Sequence, residues 1–73
     1  MIVSVDIPEL RGLIAKNGHS LRSFSKESDI SISYLSLIVN KKTLPSPKMA
    51  KKISDSLNVP ISRIVTFEDE VKI

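Results

Sequence analysis

Apolar residues recur along this chain at the spacing of helices rather than strands. Residues three or four positions apart lie on one face of an α-helix, so each run with that spacing predicts one buried face. Five such runs follow one another: Ile7, Leu10, Leu13 and Ile14; Leu21 and Phe24; Leu35 and Ile38; Ala50, Ile53 and Leu57; and Ile61, Ile64 and Val65. The pattern predicts an all-α domain of five short helices.

Capping residues separate these helices. Asp6, with Glu9 three residues later, predicts a capping box at the start of helix 1, and Gly18 predicts its end. The next three helices have predicted N-caps at Ser20, Ser31 and Ser46, and Pro60 opens the fifth. Helix 3 is expected to run from Ile32 to about Asn40.

The two ends of the chain carry apolar residues at a spacing of two, which is the period of a strand. These residues are Val3 and Val5 before helix 1, and Val65, Phe67, Val71 and Ile73 after helix 5. The ends could pair as short strands at the base of the bundle, away from helix 3, with an edge on which a second chain could dock. Alternatively, residues 67–73 form an acidic tail without fixed structure, and the pattern leaves both open. Either way we expect a single domain over residues 1–73, with its core in about 6–66.

Charge is distributed unevenly along the 73 residues, whose net charge is +3. Residues 11–52 contain nine lysines and arginines against two carboxylates, whereas the flanking segments contain two against six. A basic middle suits a polyanionic ligand such as nucleic acid. It is equally compatible with an ordinary solvated lysine surface.

The chain lacks the residues that several classes of function require. The chain has no cysteine and one histidine, His19, so it offers neither a disulfide framework nor a zinc site. No group of residues suggests a nucleophile, a general base or a metal ligand set, so we expect no enzyme activity and no cofactor. The chain lacks an apolar run of membrane-spanning length and a signal peptide, and we expect a soluble, cytoplasmic protein.

The second and third helices carry the functional argument. Two short helices joined by a tight turn at residues 28–30 have the arrangement of a helix-turn-helix, whose second helix enters the major groove of DNA. With Leu35 and Ile38 facing the core, the outward side of helix 3 presents Ile32, Ser33, Ser36 and Leu37. Serine can bond to either base of a pair, and isoleucine or leucine can contact a thymine methyl group.

Residues from about 10 to 65 resemble the Cro and phage-repressor type of helix-turn-helix, the XRE family. The strings that carry the resemblance are GHSLRSFS (18–25), ISISYLSLI (30–38), NKKTLPSP (40–47) and AKKISDSLNV (50–59). The resemblance implies a compact five-helix, lambda-repressor-like domain that binds double-stranded operator DNA, usually as a homodimer. It also implies which residues touch DNA. The base-reading positions are Ile32, Ser33 and Leu37, with Ser36 beside them, and the phosphate-binding positions are Ser20, Leu21, Arg22, Asn40, Lys41 and Lys42.

Four positions depart from the family pattern. The family commonly has leucine where Ser28 stands, and serine there removes apolar burial and should weaken the core. The family often has glutamine where Leu21 stands, so we expect Arg22 to take over that phosphate contact. It often has glycine at the positions of Asp29 and Lys41. Aspartate tolerates left-handed backbone geometry, whereas lysine does so less readily, and we expect the cap of helix 3 to shift to Asn40.

These observations favour a sequence-specific, DNA-binding transcriptional regulator, with repression of a two-fold-symmetric operator by a homodimer as the expected mode. The alternative is an antitoxin or antirepressor-like module whose main task is to hold a protein partner. The same fold could serve either role, since fold does not determine function.

Overall fold

Four α-helices and a two-stranded sheet make up residues 2–68, which are the residues that the computed structural model describes. In chain order the elements are β1 (Ile2–Val5), α1 (Ile7–Lys16), α2 (Leu21–Ser28), α3 (Ile32–Val39), α4 (Pro47–Leu57) and β2 (Val65–Phe67). A 3-10 turn, Ile61–Arg63, precedes β2. Within this part of the chain, none of the helices has the length and apolar character needed to cross a bilayer.

All four helices begin at their predicted caps. The side chains of Ser20, Ser31 and Ser46 each accept a hydrogen bond from the backbone N–H three residues later. Asp6 does the same at α1, where its Oδ1 lies 3.2 Å from the Glu9 nitrogen. The second bond of the predicted capping box, from the Asp6 N–H to the Glu9 side chain, is not formed, so that part of the prediction is wrong. The Glu9 carboxylate instead pairs with Arg63, and the Asp6 N–H donates to the Ile64 carbonyl at 2.8 Å.

Each helix is followed within two residues by one with left-handed backbone geometry. These residues are Gly18 (φ 80°), Asp29 (60°), Lys41 (60°) and Asn58 (58°). This conformation turns the chain sharply and lets the next N–H groups satisfy the last carbonyls of the helix. The prediction of a left-handed Asp29 is confirmed. Asn40 is the C-cap of α3, but the expected shift of the left-handed geometry to it is wrong, because Asn40 has φ −97° and Lys41 takes the left-handed position.

The predicted fifth helix forms only in part, because Pro60 opens a helical turn as predicted but no α-helix extends through Ile64 and Val65. Residues after Pro60 form only the single 3-10 turn Ile61–Arg63, closed by a bond from the Arg63 N–H to the Pro60 carbonyl. Sheet pairing explains the early stop, since Val65 lies opposite Val5 in the ladder and the backbone must be extended there.

The predicted pairing of the chain ends is confirmed for the described residues. β1 and β2 are antiparallel, with Ile2 opposite Phe67, Ser4 opposite Thr66 and an irregularity in register between Ile2 and Ser4. Ile2 is buried, whereas Val3 is exposed. Val71 and Ile73, the other residues of the predicted strand pattern, lie outside the described residues.

One core joins the helices and the sheet. Of the apolar residues predicted from helical spacing, all are buried except Leu21 and Ile61, which are half-buried and pack against the core. Ile2, Ile30 and Val39 are also buried. This core fixes the orientation of α2 and α3, because each contributes one apolar face to it.

Candidate nucleic-acid interface

Helices α2 and α3 form a helix-turn-helix unit. Each has eight residues, and residues 29–31 connect them. Asp29 reverses the chain with φ 60° and ψ 37°, and two bonds between Ser25 and Ile30 brace the turn. The Ser25 hydroxyl donates to the Ile30 carbonyl at 2.5 Å, and the Ile30 N–H donates to the Ser25 carbonyl at 3.2 Å. The angle between the helices therefore rests on the burial of both and on this bonded turn.

A lysine of α4 also reaches this turn. The Nζ of Lys52 donates to the carbonyl oxygen of Asp29 at 3.3 Å, across 23 residues of sequence. Its neighbour Lys51 pairs instead with Asp55 on the same helix at 3.0 Å. Both lysines are exposed, and helical spacing gives no indication of the Asp29 contact because that contact depends on tertiary packing.

The outward side of α3 presents the four predicted base-reading residues. Ser33 is exposed, Leu37 is 45% exposed, and Ile32 and Ser36 are half-buried. Ser33, Ser36 and Leu37 share one face because residues three and four apart in a helix are neighbours. The structure brings these side chains together at the surface, and their contact with bases stays a prediction.

Asn40 is tied to the same face of α3. Its Nδ2 donates to the Ser36 carbonyl at 2.9 Å and approaches the Ser36 hydroxyl oxygen at 3.3 Å. The amide group therefore closes the last turn of the helix and holds Ser36. Its predicted role as a phosphate ligand competes with these bonds.

Two exposed lysines follow α3. The Lys41 N–H donates to the Ile38 carbonyl at 3.0 Å, and the Lys42 N–H donates to the Leu37 carbonyl at 2.8 Å. This pair of bonds is the Schellman arrangement, and it places a left-handed lysine, instead of glycine, at the turn. Both lysines are therefore exposed directly after the C-terminal end of α3.

The N-terminus of α2 holds the other predicted phosphate-binding residues. Ser20 and Ser23 cap each other, since each hydroxyl accepts the backbone N–H of the other residue, at 3.0 and 3.1 Å. The N–H groups of Leu21 and Arg22 lie in the first turn, where helical N–H groups have no partner within the helix. The Leu21 side chain packs against the core and the Arg22 side chain is exposed. At Leu21 only the backbone is available to a phosphate.

A groove runs between β1 and the loop that follows α3. Its volume is about 520 Å³. It is lined by Val3, Ser4, Val5, Ile7, Ile38, Lys41, Lys42, Thr43 and Leu44. The terminal sheet was expected to lie away from α3, and the groove instead places β1 beside the C-terminal end of that helix.

Comparison with known proteins identifies the unit that these residues build. A family model described as helix-turn-helix, HTH_3, matches residues 10–64, which run from within α1 through α4 and the 3-10 turn. No curated protein matches the chain. The match covers well over half of the 73 residues and contains the whole α2–turn–α3 unit. The chain therefore belongs to the XRE/Cro-type helix-turn-helix family of DNA-binding transcription regulators.

Proposed function

We propose that this regulator is a repressor that binds a two-fold-symmetric operator as a homodimer in the cytoplasm. The observation that carries the proposal is the exposed face of α3, which has groups able to bind phosphate both before it and after it in the chain. Arg22 and the first turn of α2 lie before it, and Lys41 and Lys42 lie after it. In a helix-turn-helix the second helix reads bases while flanking groups hold phosphates.

In this proposal Ile32, Ser33, Ser36 and Leu37 contact base edges in the major groove. Lys41, Lys42 and Arg22 neutralise phosphates on the two sides, and the N–H groups at the start of α2 add neutral phosphate contacts. Asn40 acts mainly by closing α3, because its amide already bonds to Ser36. Repression then requires only that the bound protein exclude other proteins from the operator.

We propose that the second copy docks on the terminal sheet. Val3 is 45% and Phe67 38% exposed on β1 and β2, which is high for large apolar side chains on a sheet. Within the described residues each strand has one neighbour, so each has an outer edge with unpaired backbone groups. An open edge of this kind is a template for pairing with another chain. A fixed dimer is needed because symmetric half-sites lie one helical turn, about 34 Å, apart.

The second candidate function is an antitoxin or antirepressor-like module that holds a protein partner. One observation favours it: α3 (Ile32–Val39) contains no charged or amide side chain, and Leu37 is exposed. An apolar helix face of this kind also suits a protein interface.

Selection from random duplex DNA separates the two functions. The purified protein is mixed with a pool of random duplexes, and bound sequences are enriched over several rounds and sequenced. The repressor proposal predicts a motif with two-fold symmetry and half-sites about one helical turn apart. A variant with Lys41 and Lys42 both changed to alanine is the control, and it should enrich the same motif with weaker retention. The absence of any enriched motif would contradict the proposal and favour the protein-binding module.

A further inference from the structure

The base-reading side of α3 lacks the side chains that most often read bases. Arginine or lysine on guanine, and asparagine or glutamine on adenine, are the bidentate pairs that discriminate strongly in the major groove. Residues 32–39 read Ile-Ser-Tyr-Leu-Ser-Leu-Ile-Val and contain none of these four residue types. Discrimination through this helix must therefore come from hydroxyl and aliphatic groups.

The nearest carboxamide is already engaged. Asn40 directly follows α3, and its Nδ2 donates to both the carbonyl and the hydroxyl oxygen of Ser36. A bidentate contact to adenine needs the amide nitrogen as donor and the amide oxygen as acceptor together. While the bonds to Ser36 persist, Asn40 can offer only its oxygen.

The two serines discriminate weakly by themselves. A hydroxyl group both donates and accepts, so Ser33 and Ser36 can bond to either base of a pair. The aliphatic side chains are different, because the only apolar group on a base edge in the major groove is the C5-methyl group of thymine. Leu37 is 45% exposed and neighbours Ser33 four residues earlier on the same face.

We propose that Leu37 is the main specificity determinant of this protein and that it recognises thymine methyl groups. This inference rests on the proposed function and adds the chemical class of base pair that the site selects. Packing Leu37 against a methyl group removes apolar surface of both from water, and a cytosine or purine at that place leaves the leucine without an apolar partner.

The test removes the methyl group alone. Deoxyuridine pairs as thymine does but has hydrogen at C5. Each thymine of a selected duplex is replaced singly by deoxyuridine, and affinity is measured for the native chain, Leu37→Ala and Leu44→Ala. Leu44 is the matched control because it is a leucine exposed to a similar extent, 49%, in the loop that follows α3. Thermal unfolding of both variants establishes that the fold is retained.

We expect at least one thymine in each half-site where deoxyuridine lowers the affinity of the native chain about fourfold, the effect of about one buried methyl group. That loss should persist in Leu44→Ala and shrink to less than twofold in Leu37→Ala. Equal affinity of all substituted duplexes for the native chain would overturn the inference, as would an undiminished loss in Leu37→Ala. Neither result would contradict the proposal that the protein binds DNA. A chain that selects no duplex at all would overturn the proposed function and this inference together.

Discussion

The Nζ atom of Lys52 lies 3.3 Å from the carbonyl oxygen of Asp29, so α4 directly supports the turn between α2 and α3. Lys52→Met keeps most of the aliphatic stem and removes the donor. We expect unfolding free energy to fall by no more than about 1 kcal/mol, because the bond is exposed. Affinity for operator DNA should fall more than stability alone explains, because a looser turn allows α3 to change its angle.

Lys51→Met is the matched control for this prediction. It removes the same charge from the adjacent position of α4, but Lys51 pairs with Asp55 on its own helix and not with the turn. Both variants are titrated against one selected duplex at one salt concentration. Equal losses of affinity would show that Lys52 contributes only its charge.

Lys41 combines an unfavourable conformation with a proposed phosphate contact. Left-handed geometry costs a residue with a β-carbon roughly 1–2 kcal/mol, part of which glycine loses again through its greater freedom in the unfolded chain. Lys41→Gly should therefore raise unfolding free energy by roughly 0.5 kcal/mol while it lowers DNA affinity. Calorimetry and a binding titration measure the two effects.

Asp29→Gly controls for the backbone change, since Asp29 has the same φ of 60° but no proposed phosphate contact. It should also raise stability, without loss of DNA affinity. Loss of both stability and affinity in Lys41→Gly would mean that the lysine side chain supports the fold at this turn.

Lys42 is expected to bind phosphate without reading sequence. Each phosphate contact changes the slope of log affinity against log salt by about 0.9. If a dimer neutralises about eight phosphates, the slope for the native chain should be near −7. Lys42→Ala should flatten it by about two in a dimer and by about one in a monomer, with the same base preferences. An unchanged slope would show that Lys42 does not contact a phosphate.

The proposed dimer depends on the sheet surface. Val3→Ser and Phe67→Ser should each lower the mass measured by sedimentation, because they remove apolar contact from the docking surface. They should also weaken binding to a two-half-site operator more than to a single half-site. Leu37→Ser is the control, since Leu37 is as exposed as Val3 but lies on α3, and its mass should not change. A native chain that sediments as a monomer both free and on DNA would contradict the dimer.

Helices and caps were predictable because local chemistry decides them. Ser20, Ser31 and Ser46 cap their helices wherever the rest of the chain lies, and the apolar faces follow from spacing within each helix. The fifth helix is limited to a 3-10 turn because Val65 pairs with Val5, and that contact joins residues far apart in sequence. Glu9 pairs with Arg63 and not with its own cap for the same reason.

In the candidate site too, features within one helix could be predicted from the sequence, whereas contacts between distant residues could not. Helical spacing placed Ser33, Ser36 and Leu37 on one surface because they share a single helix. It could not reveal that Lys52 reaches Asp29, since neither the burial pattern of α4 nor that of the turn encodes the distance between them. Lys41 illustrates a different failure. Lysine seldom adopts left-handed backbone geometry, so the sequence argued against it there, but the turn that ends α3 places Lys41 in that geometry.

If α3 reads the DNA sequence, Leu37→Ala must change which bases the protein prefers. Leu37 is 45% exposed on the outward side of α3, so shortening its side chain should change recognition with little effect on folding. Selection from random duplex DNA is run side by side for the native chain and the variant. We expect the variant's motif to lose a preference for thymine of about fourfold, the effect of about one buried methyl group, at one position in each half-site and to keep the other positions. Identical motifs from the two proteins would show that α3 does not read the sequence.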